Sequence, residues 1–196
     1  MMEQHDNQFD LPSSVFIEKR LREFNDRKRK NAFLESIMTD PRASTLYETN
    51  GRKTTLFPKS NGPRTSTWRQ TKKMAIDLNK AGIDVAFLPE VNSLICADSL
   101  LKIRNTYRLA DFKYCVTTNP NTLAKELEHG FQQASTLVLK LENMDAGVFK
   151  DAISYLERNK KPFGDILLIN SRGKTLIIKY KELISNKYAR KIKGFL

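Results

Sequence analysis

The six residues Thr136-Leu137-Val138-Leu139-Lys140-Leu141 constrain the fold more than any other stretch of the chain. A strand with one wet face alternates apolar and polar residues, whereas this one is apolar nearly throughout and needs cover on both sides. Helical patterns supply that cover. Leu123, Leu127, Phe131 and Ala134 recur at helical spacing ahead of it, in a segment that Asn121 caps and that runs to Gln133. Val148, Phe149, Ala152, Ile153 and Leu156 do the same behind it, from Ala146 to Asn159. A buried strand held between helices is the repeating unit of an α/β protein.

Further strands extend the unit. Asp84 to Leu88 reads as a buried strand, preceded by a helix that Thr65, Ser66 or Thr67 caps and Gly82 ends. Asp98 to Ile103 and Thr106 to Val116 flank a turn near Arg104-Asn105. Asp165 to Ile169 and Thr175 to Tyr180 form the last pair, joined by Asn170-Ser171-Arg172-Gly173-Lys174. This order predicts a mixed sheet with helices on both sides, in a domain spanning residues 66–196.

Residues 1–65 read as an N-terminal extension. Pro12, Ser13 and Ser14 open a helix with Phe16, Ile17, Leu21 and Phe24 along one side. A break at Asn25-Asp26 separates it from a second stripe, Phe33, Leu34, Ile37 and Met38, which Thr39-Asp40-Pro41 ends. Such an amphipathic pair needs a surface to cover, on the main body or on another subunit. Asn50-Gly51 between two β-forming runs then predicts a hairpin, because a type I′ turn requires positive φ at both central positions. Pro58, Gly62 and Pro63 mark a polar linker into the main body.

Charge narrows the class of partner. The chain carries a net charge of +12, which favours a polyanion because neutralised phosphates release condensed counterions. The surplus peaks at Arg27-Lys28-Arg29-Lys30 and again at Lys187, Arg190, Lys191 and Lys193, each of which taken singly reads as a solvated helix face or tail. No run reaches the roughly 18 apolar residues that a bilayer crossing needs. The opening Met1-Met2-Glu3-Gln4-His5-Asp6-Asn7-Gln8 is polar and unlike a secretory signal, so a cytoplasmic protein without membrane contact is expected. Cys96 and Cys115 are too few for a disulfide framework and lack metal spacing, which leaves buried free thiols as the expectation. With His5 and His129 alone, a ribonuclease mechanism built on paired imidazoles lacks support, and His129 reads as a surface residue near a helix end.

The chemistry centres on Asp98 and on Asp111-Phe112-Lys113 in the following strand. Strand side chains alternate, so Asp111 and Lys113 share one face while Phe112 and Tyr114 take the other. Two carboxylates suit a hard cation that keeps several waters and takes its remaining ligands from a phosphate. A lysine beside them can orient an attacking water or steady developing negative charge. The same parity sets Cys96 and Cys115 on the faces of Asp98 and Lys113.

These residues resemble the signature of the PD-(D/E)XK nuclease superfamily, with Asp98 at the first aspartate and Asp111-Phe112-Lys113 at the D/E-x-K. More narrowly, the stretch from about Trp68 to Tyr180 is similar to the C-terminal tRNase domains of contact-dependent growth-inhibition (CdiA) toxins. The cues come in order: a helix ending Leu78-Asn79-Lys80-Ala81-Gly82, then Ile83 to Glu90, then the Asp98 hairpin, then a helix with Gln133-Ala134, then Thr136 to Leu141.

The resemblance implies a restriction-endonuclease-like α/β sheet and a nuclease dependent on Mg²⁺ or Mn²⁺. Its substrate would be nucleic acid, RNA rather than DNA and tRNA-like in particular, and an immunity protein would be its partner. Asp98 and Asp111 would hold the metal with the Phe112 carbonyl, Lys113 would position the water, and Gln133 would line the site. Glu90 is a candidate extra ligand. Two departures stand out. Ala97 replaces the proline of the signature, and the helix from Trp68 offers Gln70, Thr71 and Lys72 where many relatives carry a glutamate. One metal instead of two, a substitute such as Glu90, or a site that no longer cuts all remain open. The alternative to a nuclease is a catalytically inactive nucleic-acid-binding or partner-binding protein on the same fold.

Overall fold

The computed structural model describes residues 11–60, 66–90, 97–142 and 145–196. His5, Gly62, Pro63, Thr65 and Cys96 lie outside them. Among the described residues eight strands form one sheet whose spatial order follows the chain. They are β1 (Ser44–Thr49), β2 (Arg52–Leu56), β3 (Ile83–Phe87), β4 (Ser99–Ile103), β5 (Thr106–Cys115), β6 (Thr136–Leu141), β7 (Asp165–Ile169) and β8 (Thr175–Ile178). Parallel pairing joins β2 to β3, β5 to β6 and β6 to β7; the other neighbours run antiparallel. The mixed α/β class expected from the sequence is the one the chain adopts.

The β1–β2 hairpin turns at Asn50 and Gly51, with φ of 51° and 70°. That is the double positive φ an Asn-Gly type I′ turn provides. β2 then pairs with β3 through the helix α3 (Trp68–Lys80), so the hairpin is part of the same sheet.

Every residue of β6 is buried. On one face Leu137, Leu139 and Leu141 pack under α4 (Pro120–Gln133) and α5 (Ala146–Arg158). On the other, Val138 joins Phe112, Leu101 and Val85 beneath Met74, Ala75 and Leu78 of α3. Lys140 shares that second face, where its Nζ meets Asp77 of α3 at 3.1 Å.

The N-terminal helices α1 (Ser14–Glu23) and α2 (Arg27–Met38) cover the main body. Ser13 and Asp26 cap them, accepting from the N–H groups of Phe16 and Arg29. Ile17, Leu34 and Ile37 bury against Ala86, Leu88 and Leu100 on the α4 side of β3 and β4. Glu35 fastens the contact by accepting from Lys102 Nζ at 2.7 Å and from the Tyr107 hydroxyl.

One local expectation is corrected. Asn119, not Asn121, caps α4, accepting from the N–H groups of Asn121 and Thr122 at 2.9 and 3.3 Å. Pro120 occupies the first helical position, where its missing N–H would have had no intrahelical partner. After β8 the chain turns into α6 (Tyr180–Ile184) and α7 (Tyr188–Lys193). Lys187, Arg190, Lys191 and Lys193 are exposed on or beside α7, the solvated helix face expected of them, while Tyr188 and Ile192 are buried beneath, the Tyr188 ring 5.9 Å from that of Phe149. Among the described residues no helix is long and apolar enough to cross a membrane.

Candidate active site

The site grows out of the β4–β5 hairpin. Arg104 takes a φ of 53° at its turn, and the register that follows sets Ser99 opposite Ala110. Carried one residue further, it sets Asp98 against Asp111. Directly opposed residues of an antiparallel pair project to the same face, so the two carboxylates meet. β4 begins only at Ser99, and beyond Ala110 β5 continues with β6 as its one strand neighbour among the described residues. The edge left open becomes a cleft of about 210 Å³, with Asp98, Asp111, Phe112, Lys113 and Gln133 in its walls.

Asp111 is 1% exposed, and Lys113 Nζ lies 3.0 Å from its Oδ2. Gln133, the last residue of α4, reaches the same carboxylate. With its amide nitrogen toward the acid it donates to both Asp111 oxygens, at 2.7 and 3.0 Å. Turned the other way, its oxygen accepts from Lys113 Nζ at 3.4 Å and its nitrogen faces only donors. The first orientation satisfies the hydrogen-bonding groups and is the one adopted.

Gly130 is what lets α4 come so close. A Cβ there would stand 2.5 Å from Leu137 Cδ2 and 3.1 Å from Asp111 Oδ2. The sequence signal for it is a glycine inside the Leu127–Phe131 stripe of a helix, where glycine is costly without a packing reason.

The Phe112 backbone N–H faces both carboxylates and favours their charged forms. The N–H and C=O of one strand residue point to the same side of the strand, so the Phe112 carbonyl faces the same open edge. Part of Asp98 reaches solvent at the mouth of the cleft. Even so, desolvation first, and the Asp111 charge second, push its carboxyl up to about 8. Burial raises Asp111 as well, against the hydrogen bond from Asp98 and the Lys113 ammonium, which lower it. The pair therefore shares a proton, since two adjoining carboxylates cannot both ionise cheaply with one lysine to compensate them.

The remaining candidates fall around this centre. Glu90, exposed and just past β3, lines the cleft. It does not join the aspartates in a cluster, because no group of three or more His, Cys, Asp or Glu gathers among the described residues. Of Gln70, Thr71 and Lys72, where many relatives carry a glutamate, Thr71 alone lines the cleft, beside Thr67 at the N-cap of α3, while Gln70 lines a separate cavity. Cys115 is buried on the Lys113 face, and burial pushes its thiol up to about 12, which marks it as inert. His129 is exposed, as expected.

No protein-family profile matches the sequence, and no curated protein does. Among solved structures, the chain is similar to a CdiA-CT/CdiI toxin and immunity complex from Burkholderia pseudomallei. The TM-score is 0.45 at 23% identity, over 62% of this chain and 91% of that one.

The donor set fits a hard divalent cation. Mg²⁺ takes oxygen ligands, commonly one or two carboxylates, and fills its other positions with water and phosphate oxygen. Asp98, Asp111 and the Phe112 carbonyl present oxygens of that kind at one solvent-reached edge. A cation there would replace the shared proton and relieve the repulsion between the aspartates.

Proposed function

We propose that this chain is a metal-dependent nuclease that hydrolyses phosphodiester bonds, with RNA as its substrate. The observation that supports this most is the facing pair Asp98 and Asp111, short of one positive charge, beside Lys113 in an open cleft. The two carboxylates and the Phe112 carbonyl would hold Mg²⁺ or Mn²⁺. Bound there, the ion would supply a Lewis acid and lower the pKa of a coordinated water.

The protein's own groups account for the rest. Gln133 fixes the rotation of the Asp111 carboxylate through two hydrogen bonds. Lys113 brings an ammonium into the cleft, where it can offset charge building on the phosphate oxygens. The net charge of +12 draws the polyanion to the surface. A tRNA-like substrate, a toxin role and an immunity-type partner belong to the proposal through the sequence resemblance.

Purified protein incubated with tRNA and with duplex DNA, in Mg²⁺ or in EDTA, tests it. RNA is expected to be cut only with metal, and Asp111→Ala is expected to be inert. Cutting in EDTA, or an undiminished variant, would overturn the assignment.

One observation favours a second reading. α3 offers Thr67 and Thr71 to the cleft in place of a carboxylate, which suits a protein that binds nucleic acid without cutting it. In that case a Mn²⁺ titration finds no saturable site, and Asp111→Ala binds RNA as tightly or more tightly.

A further inference from the structure

A second cavity, of about 270 Å³, lies on the α3 face of the sheet, the face opposite that of Asp111 and Lys113. It opens between the first half of α3 and the ends of β5 and β6, and it is lined by Arg69, Gln70, Lys73, Tyr114, Lys140 and Glu142. The side-chain chemistry is unusual for a structural crevice. Arg69 and Lys73 are exposed, one helical turn apart, and have no ion-pair partner among the described residues. The Gln70 Oε1 is buried with no hydrogen-bond partner, an acceptor left without a donor. Lys140 is 1% exposed and gives one hydrogen bond to Asp77, leaving donors over. The Glu142 carboxylate lines the same cavity as Tyr114, and its nearness raises the Tyr114 hydroxyl above its ordinary value.

We infer that this cavity, which shares the start of α3 with the cleft lined by Thr67 and Thr71, is a nucleotide subsite flanking that cleft and that it prefers guanine; this rests on the nuclease reading given above. Tyr114 offers a face for a base to stack on, as single-stranded RNA sites do. Arg69 and Lys73 suit the adjoining phosphate. The two acceptors, Gln70 Oε1 and Glu142, select the base. Guanine presents two neighbouring N–H groups on its Watson–Crick edge, followed by an oxygen that an ammonium or guanidinium can meet. Adenine and cytosine place a donor beside an acceptor, and uracil places one donor between two acceptors. Only guanine meets both acceptors with donors.

Calorimetric titration of the full chain in EDTA with GMP, AMP, CMP, UMP and IMP tests this without calling on the metal site. GMP is expected to bind tightest, and IMP, which lacks the 2-amino group, about tenfold more weakly. Gln70→Leu and Glu142→Gln are expected to erase the difference between GMP and IMP. Lys73→Ala, an exposed change, is expected to weaken all five alike, and thermal melts check that each variant is folded. Equal affinities for the five nucleotides, or a guanine preference unmoved in both acceptor variants, would overturn the subsite. Guanine selectivity without any Mg²⁺-dependent cutting of RNA would retain the binding site and remove the nuclease. Cutting of RNA by a chain indifferent to the base would do the reverse.

Discussion

Asp98 and Asp111 stand opposite each other in the extended β4–β5 register, with the Phe112 N–H facing both. If they hold a metal, each is needed for cutting and neither for folding. Asp111→Asn is expected to lower Mg²⁺-dependent cleavage by at least about 10²-fold, the scale of losing one preorganised electrostatic group. In EDTA the same variant is expected to melt no lower than wild type, because a buried charge is gone and Gln133 can still hydrogen-bond the amide. A variant that cuts normally, or one that fails to fold, would count against the division of labour.

The proton shared by the pair makes a pH signature. The Asp98 value of about 8 in the folded chain lies above its ordinary 3.8. Between those values the folded form binds a proton that the unfolded form has lost. The resulting stabilisation is complete below the ordinary value and disappears as pH rises through about 8. In EDTA the melting temperature is expected to fall from about pH 6 to about pH 9. Saturating Mg²⁺ should remove that slope, since the cation stands in for the proton, and Asp98→Asn should remove it without metal. An equal slope in wild type and Asp98→Asn would show that other groups set it.

Much of the sheet was legible because its signals are local. The uniform apolar run at Thr136 to Leu141, the Asn50-Gly51 turn, the helix start at Pro12-Ser13-Ser14 and the break at Asn25-Asp26 each act within a few residues. Strand parity likewise placed Asp111 and Lys113 on one face, where they lie 3.0 Å apart. What escaped depends on contacts between distant segments. Nothing around Tyr188 says that its ring will settle against that of Phe149. Lys140 read as one polar interruption in an apolar strand, and its partner Asp77 lies across the sheet's other layer. Gly130 was visible as a glycine in a helix, but its closeness to Asp111 follows from how α4 docks on β5.

That closeness yields a prediction of its own. In Gly130→Ala the new methyl meets Leu137 Cδ2, which is the movable end of a side chain, and a carboxylate oxygen that Gln133 and Lys113 hold in place. Overpacking costs about 1–3 kcal/mol, while alanine returns about 1 kcal/mol of helix propensity. A small net loss of stability is therefore expected, on the order of 1 kcal/mol. Activity should suffer more than stability, by about tenfold, because α4 must shift and Gln133 with it. Adding Leu137→Ala makes room for the methyl and should restore part of the activity while lowering stability further. Parallel urea titrations and cleavage rates would separate the two effects; activity that tracks stability alone would refute the positioning role.

Asp77 and Lys140 form the most enclosed ion pair among the described residues, with side chains 10% and 2% exposed. Breaking such a pair costs more than deleting it, because one partner stays buried with its charge uncompensated. Asp77→Ala is expected to destabilise the chain by about 3–5 kcal/mol in urea denaturation. Replacing both residues, as Asp77→Leu with Lys140→Met, removes both desolvation penalties and should recover most of that loss. Gly173 sharpens the test, since a Cβ there would stand 2.8 Å from Asp77 Oδ1 and the β7–β8 turn leaves little room for a larger side chain. If crowding limits the recovery, Asp77→Val with Lys140→Met should be more stable than the leucine version. The double variants also lose the Lys140 donors in the nucleotide cavity, so restored stability with weakened GMP binding is the expected combination. Destabilisation by the single variant no greater than by the double one would mean that the pair is solvated and contributes little.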